Sequence, residues 1–267
     1  MSVKALIITG FGLNCQKETA IAFEQAGAEV SQVHLTDLAD DHSIIHQHQI
    51  LVFIGGFSFG DHLGAGTVFA SRLKYQIGDE LKRFIDDGKL IIGICNGFQT
   101  MARLGLVPAV DDQFFVVQAA LAQNNSNVFR DDWVNLTANP ESPCIFTKGC
   151  DSIELPIRHG EGKFVTLNDE ILDKLEANNQ VALRYADASG KATKRFPANP
   201  NGSTNAIAGI CDPSGRIFGL MPHPEAFLSP YNHPQWTRNK ITAGLPEKGA
   251  GTIIFENAVA YAEENLI

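Results

Sequence analysis

Absences narrow this 267-residue chain before any motif does. Its five cysteines (Cys15, Cys95, Cys144, Cys150 and Cys211) include no CxxC pair, and five is an odd number. That pattern argues against a disulfide scaffold or a zinc ribbon and fits a reducing, cytoplasmic compartment. No apolar run approaches the ~18 residues needed to cross a bilayer. The chain also enters its first apolar strand without the hydrophobic region of a secretory signal. Positive charge is in deficit: 21 Lys and Arg face 30 Asp and Glu, a formal net charge of −9, with a pI near 5.3. A nucleic-acid or anionic-membrane partner is therefore disfavoured. Phosphate-binding signatures are missing as well. A Gly-x-x-x-x-Gly-Lys-Ser/Thr loop occurs nowhere, and Gly10-Phe11-Gly12-Leu13-Asn14-Cys15 lacks the third glycine of a dinucleotide fingerprint. With no repeat, low-complexity tract or linker to divide it, the chain is expected to form a single domain over 1–267.

What is present is 44% hydrophobic content and 24 glycines, arranged as strand–helix–strand. Strands are predicted at 3–9, 29–35 and 49–54, with a helix at 16–26, which is the alternation of a doubly wound, mainly parallel sheet. The second half mixes turns with short strand candidates at 114–118, 133–136, 153–156 and 181–185. Helices are predicted there at 169–178 and 253–265.

Three stretches carry chemistry. Lys89-Leu90-Ile91-Ile92-Gly93-Ile94-Cys95 is a β-branched run ending at a cysteine. Phe98, Met101, Ala102 and Leu104 then begin a helical pattern, so Cys95 falls at a strand-to-helix turn. Unpaired N–H groups at a helix start favour the thiolate, the nucleophilic form. A buried structural cysteine is the alternative. Gly55-Gly56-Phe57-Ser58-Phe59-Gly60-Asp61-His62 leaves the carboxyl end of a central strand, where open α/β sheets bind ligands, and its N–H groups could converge on an anionic oxygen. A plain turn or a phosphate cradle would use the same residues. In Met221-Pro222-His223-Pro224-Glu225, the second proline holds His223 extended, so Glu225 projects to the same side and can orient the imidazole. No further ligands stand at zinc spacings, so a metal is not expected. The amide-rich Gln123–Phe129 loop and Arg158-His159-Gly160-Glu161-Gly162 have ordinary turn explanations.

Nucleophile, base and orienting acid beside an amide-donor loop suit acyl transfer from an amide through a thioester. With the Gly-Gly-Phe-Ser-Phe-Gly-Asp loop and Met-Pro-His-Pro-Glu, the run Gly93-Ile94-Cys95-Asn96-Gly97-Phe98-Gln99 resembles the class I (triad) glutamine amidotransferases. Within them it resembles the glutaminase subunits of the purine-biosynthetic synthases that make formylglycinamidine ribonucleotide from formylglycinamide ribonucleotide. Gly-Leu-Asn-Cys, Gln-Asn-Asn-Ser and His-Gly-Glu-Gly extend the likeness over nearly the whole chain.

The resemblance implies a flavodoxin-like α/β fold, with helices on both faces of the sheet and a small added antiparallel sheet. It implies that Cys95 attacks the carboxamide of L-glutamine, His223 passes the proton to the leaving ammonia, and Glu225 orients His223. Gly55, Gly56, Phe57 and Asn96 become oxyanion-hole candidates, and Gln99, Asn125, Ser126 and Phe129 become candidates for the glutamine α-groups. It further implies that ammonia passes to a large synthase subunit, with a small bridging subunit. ATP and Mg2+ are then expected on that partner, and no cofactor on this chain. The segment 227–251 is longer than a compact member needs and is expected to be a surface insertion. A free-standing cysteine amidase or peptidase, and a non-catalytic binding module of the same fold, remain the alternatives.

Overall fold

Strand formation follows the apolar runs. In the computed structural model, which describes residues 2–267, β1 (Lys4–Thr9), β3 (Ile50–Phe53) and β4 (Leu90–Ile94) are buried almost throughout. Continuous burial without alternation is what a parallel strand covered on both faces requires. β2 (Glu29–His34) pairs parallel with β1, β1 with β3, β3 with β4, and β4 with β11 (Ile217–Leu220). Helix α1 (Gln16–Gln25) connects β1 to β2, whereas α4 (Thr67–Asp86) connects β3 to β4 in the opposite direction along the sheet. Right-handed crossovers therefore put α1 and α4 on opposite faces. The short helices α2 (Leu35–Asp40) and α3 (Ser43–His46) lead into β3. Helix α5 (Asn96–Leu104) packs with α4, and α8 (Thr252–Asn265) packs with α1 through Phe23 against Phe255.

The sheet continues antiparallel through β10 (Ile207–Cys211), β9 (Val181–Ala186), β6 (Arg130–Ala138) and β7 (Ser152–His159), nine strands in all. Helix α6 (Asp169–Ala177) precedes β9, with Asn168 as its N-cap. A separate antiparallel pair joins β5 (Ala119–Ala122) to β8 (Lys163–Thr166).

Several expectations need correction. Residues 114–118 do not form a strand. Phe115 has a left-handed φ of 63° and donates to Gly105 O at 2.9 Å. Gln118 uses its carboxamide to bond both Val110 N–H and Val110 O. The segment is thus folded onto the end of α5, and pairing starts only at Ala119. Leu35 opens α2 instead of closing β2. α4, β8 and β10 were not anticipated.

Residues 227–251 make an excursion holding the helix α7 (Trp236–Thr242), which buries no residue. Its ends are tied together by Gly249 N–H to Leu228 O and Gly251 N–H to Phe227 O, both 2.9 Å. Trp133 fixes it to the body by edge contacts with Phe227 and His233.

Candidate active site

Cys95 stands between β4 and α5 with φ 52° and ψ −105°, a conformation few non-glycine residues adopt. Two glycines make this elbow possible by absence of bulk. A Cβ on Gly97 would lie 1.9 Å from Phe53 O, and one on Gly93 would lie 2.3 Å from Met101 Sδ. Both glycines let α5 lie close against β3 and β4. The Cys95 N–H donates to Leu220 O at 2.8 Å, which anchors the turn to β11.

β11 leads directly to His223. Its Nδ1 pairs with Glu225 Oε1 at 2.5 Å, and both side chains are almost completely buried. Burial disfavours the imidazolium, but the Glu225 carboxylate and the charge of the ionised Cys95 sulfur, with Cys15 adding to them, outweigh it and hold the His223 pKa well above its ordinary value. Nε2 is buried without a hydrogen-bond partner, which leaves it free to exchange a proton with a reacting group.

The far edge of the sheet roofs this pair. Strand order puts β7 at one margin of the sheet, five positions from the central β4, yet its carbonyls reach the site. Pro156 O accepts from His223 N–H at 2.8 Å, and Arg158 O accepts from Cys95 Sγ at 3.5 Å. Just beyond β7, Glu161 O accepts from Gln99 Nε2 at 2.5 Å.

The predicted site residues therefore divide. Cys95, His223 and Glu225 come together. Gly56 and Asn96 lie beside them with N–H groups that donate to no acceptor among the described residues. Phe57 does not offer its N–H, which donates to Gly12 O at 3.0 Å. Gly55 contributes space: a Cβ there would sit 2.8 Å from His223 Cε1 and 3.0 Å from Cys15 Sγ. Gln99 is buried with its carboxamide held in place, Oε1 accepting from Asn96 Nδ2 and Nε2 donating to Glu161 O. Asn125, Ser126 and Phe129 lie on an exposed rim, with Asn125 Oδ1 bound to Lys163 and the Phe129 ring 6.1 Å from Phe57.

Three residues at the site were noted in the sequence but not among the predicted site residues. Asn124 is buried and organises the rim, bonding His159 Nδ1, His159 O, Val128 O and the N–H of Gly162. His159 is pushed down to about 3 by burial and by the neighbouring His223, so it stays neutral. Cys15 lies against the triad, and burial raises its thiol pKa. Cys15, His223 and Glu225 place three ligand atoms within 4.8 Å of one another, one short of the four that a structural zinc takes.

Comparison with known proteins places this geometry in a family. The family model described as CobB/CobQ-like glutamine amidotransferase domain matches residues 2–262. The chain is 44% identical over 264 residues to a phosphoribosylformylglycinamidine synthase subunit PurQ of Dehalococcoides mccartyi, covering 98% of each protein. It is 44% identical over 265 residues to the same subunit of Methanococcus maripaludis, with 97% of each covered. Among solved structures it matches a chain of the PurLQS structure from Thermotoga maritima, with TM-score 0.69 and 32% identity, covering 98% of this chain and 99% of that one. A cysteine on a strained elbow, a buried His–Glu pair facing it and a full-length match thus agree, and the chain belongs to the CobB/CobQ-like glutamine amidotransferase domain family.

Proposed function

We propose that this chain is the glutaminase subunit of a phosphoribosylformylglycinamidine synthase, hydrolysing L-glutamine to glutamate and ammonia. The observation that carries the reading is the buried His223–Glu225 pair, its Nε2 unpartnered, with His223 in contact with a cysteine held at a left-handed elbow. Cys95 Sγ, its proton passed to His223, attacks the carboxamide carbon. The oxyanion accepts from the N–H groups of Gly56 and Asn96. His223 then gives its proton to the departing nitrogen, so ammonia leaves and a thioester stays on Cys95. Water, deprotonated by the same imidazole, attacks that thioester and releases glutamate. Glu225 keeps Nδ1 as the protonated nitrogen throughout, which presents Nε2 for transfer.

The whole chain acts as one amidotransferase domain, with 227–251 a surface excursion. The ammonia passes to a large synthase subunit, with a small bridging subunit, and that partner holds the ATP and Mg2+ of the amidination step. Ammonia set free in neutral water would mostly protonate and lose its nucleophilicity, which a shielded route avoids. No helix among the described residues is long and apolar enough to cross a membrane, in keeping with a cytoplasmic enzyme. The half-exposed Phe57 and Phe129 rings at the mouth suit a docked partner.

Docking also gives a reason for the Phe57 N–H to be engaged with Gly12 O in the free chain. Partner binding would turn that N–H toward the oxyanion. Glutamate release by the purified chain, alone and then with the large subunit and its substrates, tests the reading. Acceleration by the partner is expected. Absence of glutamate in both conditions would overturn it.

A further inference from the structure

Two carboxylates stand beside the nucleophile without a cation. Asp61 Oδ1 accepts from Asn96 Nδ2 at 3.2 Å, and Glu161 Oε2 accepts from Ala65 N–H at 3.0 Å. Among the described residues neither forms an ion pair. Both are half-buried. Burial, with the charge of Glu161 adding to it, outweighs the hydrogen bonds from Asn96 and the Gly66 backbone and the neighbouring His62, and pushes Asp61 up to about 6.

Asn96, the residue after the nucleophile, adds an independent sign. It is fully buried. Its carboxamide orientation is fixed because Nδ2 faces two acceptors, Asp61 Oδ1 and Gln99 Oε1. Oδ1 is therefore left buried with no donor at all. A buried unsatisfied acceptor is costly in a folded protein and marks a position where a donor arrives from outside. The site thus has an excess of acceptors and of negative charge one residue from the reacting sulfur.

A primary ammonium matches this excess, since it carries one positive charge and three N–H donors and accepts nothing. Resting on the glutaminase reading, we propose that Asp61 and Glu161, with Asn96 Oδ1, bind the α-ammonium group of glutamine. The carboxamide of Gln99 holds both Asn96 and the Glu161 turn in place around this group. Selection for an α-amino acid over a simple amide comes from this acidic pair, one member from the glycine loop and one from the roof. Substrate binding joins the two.

The test is steady-state hydrolysis by the chain assembled with its synthase partner, using glutamine and 4-carbamoylbutanoate. The latter keeps the carboxamide and carboxylate but carries hydrogen in place of the ammonium. Asp61→Asn suits the left-handed φ of 54° at that position, which asparagine tolerates. Glu161→Gln retains an oxygen to accept from Ala65. Each variant should raise the glutamine KM roughly ten- to hundred-fold, the range for losing a charged hydrogen bond, with the larger part of the loss in KM and not kcat. The preference for glutamine over 4-carbamoylbutanoate should shrink by the same factor. An unchanged glutamine KM in both variants, or an equal fall in kcat for both compounds, would overturn the assignment while leaving the glutaminase intact. No glutamate release by the wild-type assembly would overturn the glutaminase reading and this inference with it.

Discussion

The site has a floor from the parallel half of the sheet and a roof from the antiparallel half, and each contributes a buried histidine. His223 and His159 are equally inaccessible, at 2% exposure each. Burial opposes the charge of both, yet they end in opposite states. His223 has the Glu225 carboxylate on Nδ1 and is held well above the ordinary range. His159 has the neutral Asn124 carboxamide on Nδ1 and falls to about 3. Depth does not decide a charge state here; the group bonded to the far nitrogen does. On the proposed mechanism the floor moves protons, and the roof supplies fixed backbone carbonyls beside them.

The sharpest way to break that contrast is to remove the nucleophile. Cys95→Ala should cut glutamine hydrolysis by roughly ten-thousand-fold, the scale of losing a nucleophile, while synthesis driven by added ammonia survives in the assembled enzyme. Near-normal glutamate release by the variant would show that the reacting group lies elsewhere. Next, His223→Asn should lower kcat by roughly a thousand-fold or more and Glu225→Gln by less, since the acid acts only through the base. His159→Asn, measured in the same assay, should keep most of its kcat. If it were the more damaging change, the roles of floor and roof would be reversed. Gly55→Ala is a subtler blow. Its Cβ would push on His223 Cε1 from 2.8 Å, and a displacement of about 1 Å typically costs ~100-fold in rate. A normal kcat in a folded Gly55→Ala protein would mean that the imidazole tolerates the shift.

The smallest effect is on the acid side of the stability curve. Folded His159 titrates near 3 and an unfolded histidine near ~6.5. Between those values the unfolded chain holds the extra proton, so stability falls as pH falls. The contribution of His159 is whole above about pH 6.5 and is lost progressively toward about 3. His223, with a raised pKa, acts in the other direction: its contribution is present at low pH and disappears as pH rises through its folded value. His159→Asn should flatten the acid limb by up to roughly 1.4 kcal/mol per pH unit, read from urea midpoints at stepped pH. An unchanged slope would show that folded His159 carries a proton.

Local signals explain which parts could be read from the chain alone. β1, β3 and β4 announce themselves as apolar runs, and Cys95 and His223 sit at the ends of such runs, so their placement needs no knowledge of distant contacts. Glu225 is readable because two positions in an extended segment share a side. The roof is different. Nothing in residues 152–161 says that this edge strand returns over β4, because sheet curl accumulates strand by strand and is not encoded in any one segment. Asn124 and Gln99 look alike as polar residues near the site, but their partners, His159 and Glu161, lie far away in sequence. Residues 114–118 misled because β-branched and aromatic content is a weak guide against a specific tertiary fit, here the Gln118 side chain closing on Val110.

The reach of β7 over the nucleophile also bears on how the protein is made. Cys95 leaves the ribosome before Arg158, Leu220 and His223 have been added. The N–H of Cys95 finds its acceptor only when Leu220 has been synthesised, its sulfur only when Arg158 has, and its base only when His223 follows. Domains complete their long-range pairings late in synthesis. A nascent or truncated chain therefore carries the thiol but not the machinery, and cannot waste glutamine before the protein is whole.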